Sequence, residues 1–184
     1  MSCRLMSNDP LAERTRLTVR EIPDYPKPGI DFKDITPVLE DPELTRDLLE
    51  RFKKEAKGMG ANAIVGVESR GFLFGMALAI EMGIPFITVR KKGKLPAETV
   101  SYRYELEYGS EEIEMHTGSV REGMKVLVHD DLLATGGTAA AAAELVKKEG
   151  GSVAGFGFLI ELSFLNGEGM IRPYSPNIFK LLRY

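Results

Sequence analysis

The sequence predicts an α/β fold in which a central, twisted, mainly parallel sheet is flanked by helices. Short apolar runs rich in β-branched residues alternate with helical patterns, which is typical of parallel strands joined by right-handed crossovers. The clearest unit is residues 125–146, KVLVHDDLLATGGTAAAAAELV. There a strand over 125–129 ends at two acids, and a Gly/Thr loop (residues 134–138) leads into an alanine-rich helix. The length of 184 residues predicts one domain.

The composition is that of a globular protein, with 43% hydrophobic and 28% charged residues. A net charge of −3 gives no bulk electrostatic argument for binding nucleic acid or an anionic membrane. Cys3 is the only cysteine, which excludes an intramolecular disulfide and fits a reducing compartment. The sequence shows no apolar run of membrane-spanning length and no signal-peptide core. We therefore expect a soluble, cytoplasmic protein.

The first part of the chain combines capping signals with a proline-rich segment. A short helix is predicted over residues 10–20. Residues 22–41, IPDYPKPGIDFKDITPVLED, contain four prolines, which predict an ordered, packed loop without regular structure. Asp41 followed by Pro42 is a helix-start signal, and the apolar spacing after it predicts a helix that ends at Gly58.

The remaining elements alternate between strand and helix until a basic segment (residues 90–96) interrupts them. Two strands after that segment, SYRYELEYG and EEIEMHTG, are predicted to form a hairpin joined at Gly109–Ser110. The other predicted elements are strands over 63–67, 86–89, 152–162 and about 179–182, and a helix over 72–82.

Three loops follow three of the predicted parallel strands, at residues 68–71, 90–96 and 130–138. Because the carboxyl ends of parallel strands meet at one edge of a sheet, we expect these loops to line one site. A helix N-terminus with nearby glycines suits a phosphate. Acids beside it suit sugar hydroxyls or a divalent ion carried with phosphates. The cations predicted to hold a second polyphosphate group are Arg70, Arg90, Lys91 and Lys94.

Plainer interpretations exist for each of these features. A Gly-rich turn is often only a tight connection, and acids beside a helix start are often caps. By itself Glu107 is better explained as a solvated hairpin charge, and Phe32 as a core residue. His116 and His129 have no partner spacing for a metal or a catalytic triad.

DDLLATGGT closely resembles the phosphoribosyl-diphosphate motif of type I phosphoribosyltransferases. The segments IPDYPKPGIDFKDITPVL, ESRGFLFG, RKKGKLP and YELEYG are similar to the adenine-specific members of that family. The resemblance runs from about Ile22 to the C-terminus. It implies a single domain over residues 1–184, with a small hood mainly from residues 1–38 and a flexible β-hairpin lid at about 95–119.

The resemblance also implies a reaction, in which adenine and 5-phosphoribosyl 1-diphosphate give AMP and diphosphate with Mg²⁺, in a homodimer that binds neither nucleic acid nor membrane. The metal would be bound mainly through the substrate diphosphate, and no protein residue is assigned as its ligand. The implied catalytic residues are Glu107, Arg70, Asp130 and Asp131. The implied substrate-binding residues are Asp31, Phe32, Lys33, Ser69, Arg90, Lys91, Lys94, Tyr108, Ala134, Thr135, Gly136, Gly137, Thr138 and Leu162.

Within that set the resemblance assigns separate roles. Residues 134–138 would cradle the 5′-phosphate, Ser69 and Arg70 would touch the diphosphate through a loop of unusual backbone shape, and Glu107 would assist proton transfer near the purine N7. Phe32 would stack on the purine, with Leu162 packed near it.

The sequence departs from the family pattern at three positions. Lys33 stands where an arginine is common, and Asp31 and His129 where apolar residues are usual. Two other functions stay open at this point: a type I enzyme for another base, and a non-enzymatic sensor of phosphoribosyl diphosphate.

Overall fold

The computed structural model describes residues 9–106 and 109–184. The chain divides into two compact units, Met1–Arg51 and Phe52–Tyr184. The helices are α1 Pro10–Thr18, α2 Thr36–Leu39, α3 Pro42–Gly58, α4 Gly71–Met82, α5 Gly137–Lys148 and α6 Gly167–Ile171, with a 3₁₀ turn at Ser163–Leu165. The strands are β1 Arg20–Ile22, β2 Phe32–Asp34, β3 Ala63–Val67, β4 Phe86–Lys91, β5 Thr99–Leu106, β6 Gly109–His116, β7 Lys125–Leu133, β8 Ser152–Glu161 and β9 Ile178–Arg183.

The first unit contains regular structure in the segment that was predicted to be a loop. β1 and β2 pair antiparallel, with Ile22 opposite Phe32. The Asp34 carboxylate then accepts hydrogen bonds from the Thr36 backbone N–H at 2.9 Å and from its hydroxyl at 2.6 Å. Pro37 lies in the first turn of α2, where its missing N–H costs nothing. The prediction was wrong here because prolines break helix interiors but are tolerated at helix starts.

The second unit is built on a seven-stranded sheet in the order β5-β6-β4-β3-β7-β8-β9. The strands from β4 to β9 in that order are parallel, and the β5–β6 hairpin adds antiparallel strands at the β4 edge. The predicted fold class, a mainly parallel sheet flanked by helices, is confirmed.

Consecutive residues of the central strand β7 face opposite layers, as side chains of a strand must. Val128 belongs to the core that includes the buried alanines 139–143 of α5. His129 lies instead against α4 and the C-terminal part of α3. Its ring centroid is 5.1 Å from that of Phe52, and its Cδ2 is 3.4 Å from the position that a Cβ on Gly75 would occupy.

Several element boundaries differ from the predicted ones because strand pairing continues past polar residues. β7 does not end at His129 but runs through both acids to Leu133, since its pairing with β8 extends to Leu133 opposite Glu161. β4 likewise continues through Arg90 and Lys91, which pair with β6. Gly109 and Ser110 lie inside β6 rather than at the hairpin turn. β8 ends at Glu161, one residue before Leu162, and α6 had not been predicted.

Among residues 9–106 and 109–184, none of the helices has the length and apolar character required to span a bilayer.

Candidate functional site

The three predicted loops meet at the carboxyl edge of β3, β4 and β7. One cavity in the second unit is bordered by residues from all three, together with hairpin residues, and its polar lining residues are Glu68, Arg90, Lys91, Tyr104, Glu111, Asp130 and Thr138. A second pocket adjoins it and is lined by Asp130 and residues 132–139. The structure therefore brings Arg90, Lys91, Asp130 and residues 134–138 together at one sheet edge, whereas Ser69, Arg70 and Lys94 do not line either cavity.

The Gly/Thr loop forms the start of α5. Gly136 is the N-cap residue, with a left-handed φ of 83° that favours glycine. A side chain there would also collide with the carbonyl oxygen of Gly167, which lies 2.5 Å from the position of a Cβ. The first N–H groups of a helix have no acceptor within the helix, so Gly137 and Thr138 present donors to the adjoining pocket. This geometry suits a phosphate.

Asp130 and Asp131, the acid pair, lie on opposite faces of β7. The Asp131 carboxylate is buried, and its Oδ2 lies 2.7 Å from Nε of Arg70, a residue at the start of α4. The Asp131 backbone N–H donates to Oδ1 of Asp130 at 2.9 Å. The pair thus connects the loop after β3 to the pocket under α5.

Both carboxyl groups of the acid pair ionise less readily than exposed ones. Burial raises the pKa of Asp130 well above its usual range, and the neighbouring charge of Asp131 raises it further. Burial also raises the pKa of Asp131, although the Arg70 guanidinium acts in the opposite direction. Such perturbation is frequent at functional sites.

The basic segment is anchored by a carboxylate that sequence reasoning missed. Glu68 accepts hydrogen bonds from Nε and Nη2 of Arg90 at 3.2 and 3.3 Å, and from the backbone N–H of Lys91 at 3.0 Å. Arg90 in turn donates through Nη1 to the carbonyl oxygen of Lys94 at 3.0 Å. An acid at the end of β3, beside the basic end of β4, was the only signal in the sequence. The Glu68–Ser69 peptide bond is cis, so the loop has the unusual backbone shape that was expected.

Tyr104 is a second site residue that was not predicted. Its hydroxyl donates to Oε2 of Glu111 at 3.1 Å and lies 3.0 Å from the Thr138 hydroxyl, which must therefore be the donor in that hydrogen bond. The Tyr104 ring also covers Gly137, where a Cβ would lie 3.3 Å from the ring. The hairpin is thus docked on the Gly/Thr loop.

The residues predicted for the base lie in different parts of the chain. Asp31 is exposed, Phe32 packs edge-on against Tyr25 with ring centroids 5.3 Å apart, and Lys33 is buried with its Nζ 3.0 Å from Oε1 of Glu21. All belong to the first unit. Leu162 lies in the second unit beside the end of β7, where its N–H donates to the carbonyl oxygen of Leu133 at 2.9 Å. Glu107 and Tyr108 lie outside the described residues.

Within the described ranges, no group of three or more histidine, cysteine, aspartate or glutamate side chains could hold a metal ion. The acid pair nevertheless fits Mg²⁺, which commonly binds one or two carboxylates together with substrate phosphates. Oδ2 of Asp131 is buried and already forms the 2.7 Å ion pair with Nε of Arg70. Because a carboxylate oxygen has more than one lone pair, it can also accept from a metal-bound water.

Comparison with known proteins agrees with this geometry. The sequence profile of the phosphoribosyl transferase domain matches residues 43–175. The chain is 47% identical over 178 residues to an adenine phosphoribosyltransferase of Cytophaga hutchinsonii, covering 97% of this chain and 98% of that protein. It is 55% identical over 153 residues to one of Sorangium cellulosum, covering 83% and 76% respectively.

Solved structures are similar over the same length. The adenine phosphoribosyltransferase of Thermoanaerobacter pseudethanolicus superposes with a TM-score of 0.90 at 48% identity, covering 94% of this chain and 99% of that one. The Saccharomyces cerevisiae enzyme, in complex with an imino-altritol bisphosphate and adenine, has a TM-score of 0.88 at 39% identity, covering 94% of this chain and 98% of that one.

Proposed function

We propose that this chain, which belongs to the adenine phosphoribosyltransferase family, transfers the 5-phosphoribosyl group from 5-phosphoribosyl 1-diphosphate to adenine and releases AMP and diphosphate. It is then a pentosyltransferase of purine salvage. The observation that carries the proposal is the sequence identity of 47% and 49% to adenine phosphoribosyltransferases over 97% and 94% of this chain. The meeting of the Gly/Thr loop, the acid pair and the basic segment at one sheet edge supports it independently.

The sugar phosphate would bind along that edge with its two ends separated. Residues 134–138 would hold the 5′-phosphate through backbone N–H groups and the Thr135 hydroxyl. The acid pair would hold the ribose hydroxyls, and Ser69 and Arg70 would contact the diphosphate at the other end. Arg90, Lys91 and Lys94 would supply further positive charge there.

The chemistry explains why these residue types are needed. Displacement at the anomeric carbon develops oxocarbenium character, which the carboxylates of Asp130 and Asp131 stabilise electrostatically. Negative charge grows on the departing diphosphate, and the positive charges of Arg70 and Lys94 stabilise it. Asp130 and Asp131 would hold Mg²⁺ beside the substrate, and the ion would supply positive charge that neutralises part of the same negative charge. We expect EDTA to abolish turnover.

Recognition of adenine is proposed from the motif resemblance. Phe32 would stack on the purine, the backbone at Asp31 would read its hydrogen-bonding edge, and Lys33 would lie beside them. Leu162 would pack near the base. Adenine must lose or relocate a proton when its N9 attacks the sugar, and Glu107 would assist that proton transfer. Tyr108 would help close the site.

Replacement of Glu107 with leucine tests the proton role. Because the side chain is assigned to the chemical step, kcat should fall about 100-fold while the KM for the sugar phosphate changes little. Steady-state kinetics with each substrate varied in turn measure both constants. An unchanged kcat removes Glu107 from the mechanism.

The domain arrangement is a proposal of the same kind. One phosphoribosyltransferase domain would occupy residues 1–184, with a hood mainly from residues 1–38 and a lid hairpin at about 95–119. The hairpin formed by β5 and β6 supports the lid, since it is docked on the Gly/Thr loop through Tyr104. A lid that closes over the site excludes water that would hydrolyse the activated sugar.

A homodimer is supported by the exposed surface of α4. Leu73, Met76 and Ile80 recur at helical spacing and are exposed by 47%, 47% and 67%, on a helix that is apolar on its buried side as well. A helix that is apolar all round is normally covered. Light scattering should give the mass of two chains, and Ile80→Glu should give one. Phe164→Glu, at an apolar residue that is 75% exposed elsewhere, serves as the matched control.

The decisive test is a panel of bases with 5-phosphoribosyl 1-diphosphate and Mg²⁺, in which diphosphate release is measured. Adenine should be turned over fastest among adenine, hypoxanthine, guanine, xanthine and orotate. Faster turnover of a 6-oxopurine would overturn the adenine assignment. Binding of the sugar phosphate without any AMP formation would point to a sensor rather than an enzyme. A cytoplasmic location, suggested by the single cysteine Cys3, is tested by cell fractionation.

A further inference from the structure

The cations of the basic segment differ in how far their charges are neutralised. Arg90 is paired with Glu68, Lys91 with Glu111 at 3.0 Å, and Lys92 with Glu112 at 2.8 Å. Among the described residues, no carboxylate lies within ion-pair distance of the Lys94 ammonium, although Glu68 attracts it from further away, and the Lys94 side chain is exposed. Lys94 is thus the cation of this segment with most charge left for an anionic ligand.

The backbone that carries Lys94 is held by a buried carboxylate from the neighbouring strand. Glu114 of β6 is only 2% exposed. Its Oε1 accepts hydrogen bonds from the backbone N–H groups of Lys94 at 3.0 Å and Leu95 at 2.9 Å. Its Oε2 accepts from the Thr99 hydroxyl at 3.2 Å.

This use of a carboxylate is unusual because burial of a charge is costly unless it is compensated. No cation compensates Glu114 among the described ion pairs. Burial opposes its ionisation, but the backbone donors of the loop and the Thr99 hydroxyl together outweigh burial and keep the pKa of Glu114 below its usual value. A neutral side chain would suffice merely to fill this space, so the charge is explained by the N–H groups that it gathers.

We infer that Glu114 is a positioning residue for the proposed reaction: by holding the backbone of Lys94 and Leu95 it aims the exposed Lys94 ammonium at the diphosphate of the substrate. Arg90 completes the arrangement from the other side, because its guanidinium holds the Lys94 carbonyl oxygen. The inference rests on the proposed function, since it concerns the same diphosphate.

The test compares Glu114→Ala, Glu114→Gln, Lys94→Ala and the double variant Glu114→Ala/Lys94→Ala with the wild-type enzyme. Glu114→Ala should raise the KM for 5-phosphoribosyl 1-diphosphate roughly tenfold, the factor that corresponds to losing one charge-assisted contact. The KM for adenine should stay within about twofold. Glutamine retains the Oε1 acceptor and should recover much of the loss.

The double variant separates positioning from structural support. If Glu114 acts through Lys94, adding Glu114→Ala to Lys94→Ala should cause little further loss, whereas independent roles give multiplied effects. Glu112→Gln is the matched control, because Glu112 lies on the same strand but pairs with Lys92 outside the proposed site. It should leave both KM values unchanged.

Multiplied effects, or an equal rise in KM for both substrates, would overturn the inference and leave Glu114 a structural residue. Thermal unfolding of each variant shows whether a kinetic loss merely follows loss of fold. The wild-type base panel is run first. Absence of any phosphoribosyl transfer there would refute the proposed function, whereas transfer with a normal Glu114→Ala variant would refute only this inference.

Discussion

His129 and the acid pair are consecutive on β7, yet their surroundings are opposite in kind. His129 is fully buried beside Phe52, and neither ring nitrogen makes a hydrogen bond of normal geometry, so the Gly157 backbone offsets its burial only in part. The acid pair, one and two residues further on, reaches the edge where Arg70 and the start of α5 lie. Burial lowers the pKa of His129 to about 4 and raises the pKa values of both acids.

Burial disfavours the charged forms of His129 and of the acid pair alike. Only the acid pair lies where a ligand can compensate for that burial. At the edge, poorly solvated carboxylates are poised to gain stability from a ligand cation or hydroxyl group. In the interior, an imidazole without a well-formed hydrogen bond has no ligand to bind and lowers stability. Substitutions on the two sides of this boundary should therefore separate activity from stability.

The largest effect is expected at the acid pair. Asp130→Asn combined with Asp131→Asn removes the charges proposed to stabilise the transition state, so kcat/KM for the sugar phosphate should fall about 1000-fold or more. Initial-rate kinetics measure it. A near-wild-type kcat/KM would show that the acid pair does not act in the reaction, and the functional difference from His129 would then disappear. His129→Leu should keep kcat/KM within about threefold, since its ring faces the core.

The next effect is on acid stability and belongs to His129. Its folded pKa of about 4 lies below the ordinary value of 6.5, so the unfolded chain binds the proton more readily. The folding free energy is then undiminished above pH 6.5 and declines as the pH falls towards 4. At one pKa unit per 1.36 kcal/mol the loss by pH 4 is about 3 kcal/mol.

His129→Leu should abolish that loss, because leucine fills a similar volume without a titratable group. Urea unfolding at pH 7.5 and pH 4.5 gives the free energy of unfolding of both proteins. The variant should gain on the wild type as the pH falls. Parallel losses in the two proteins would mean that the imidazole finds a partner in solution, and the interior would then resemble the edge.

Local sequence patterns predicted the sheet and one wall of the site. The β-branched runs at 63–67 and 125–129, the capping signal at Asp41 and Pro42, and the acids with their Gly/Thr loop all act over a few residues. These elements lie where they were expected, apart from their ends. β7 is longer than predicted because pairing with β8 satisfies the backbone hydrogen bonds of the acid pair. Local residue propensities do not predict such pairing.

The parts that were missed are held by contacts distant in sequence. Glu68 reaches Arg90 across 22 positions, and Tyr104 reaches Thr138 across 34. Neither residue stands in a pattern that identifies its partner, since an acid after a strand and a tyrosine in a hairpin are both ordinary. Only the register of β3 against β4 and the docking of the hairpin bring them to the site.

The smallest effect is expected for Asp130, and it tests whether the buried carboxyl groups of the acid pair lower the free energy of unfolding. The Asp130 pKa is raised, so its carboxyl contributes most to folding below its ordinary pKa and that contribution is lost as the pH rises through the folded value. Asp130→Asn alone should therefore stabilise the ligand-free protein at pH 7, by about 1 kcal/mol. Asparagine keeps an oxygen that can accept the Asp131 N–H, so the local hydrogen bond survives.

The stability gain of Asp130→Asn should shrink as the pH falls towards 4. This trend is opposite to that of His129→Leu, whose gain grows as the pH falls. Denaturation curves at both pH values measure the pair, and equal pH trends in the two variants would contradict the separation of edge from interior.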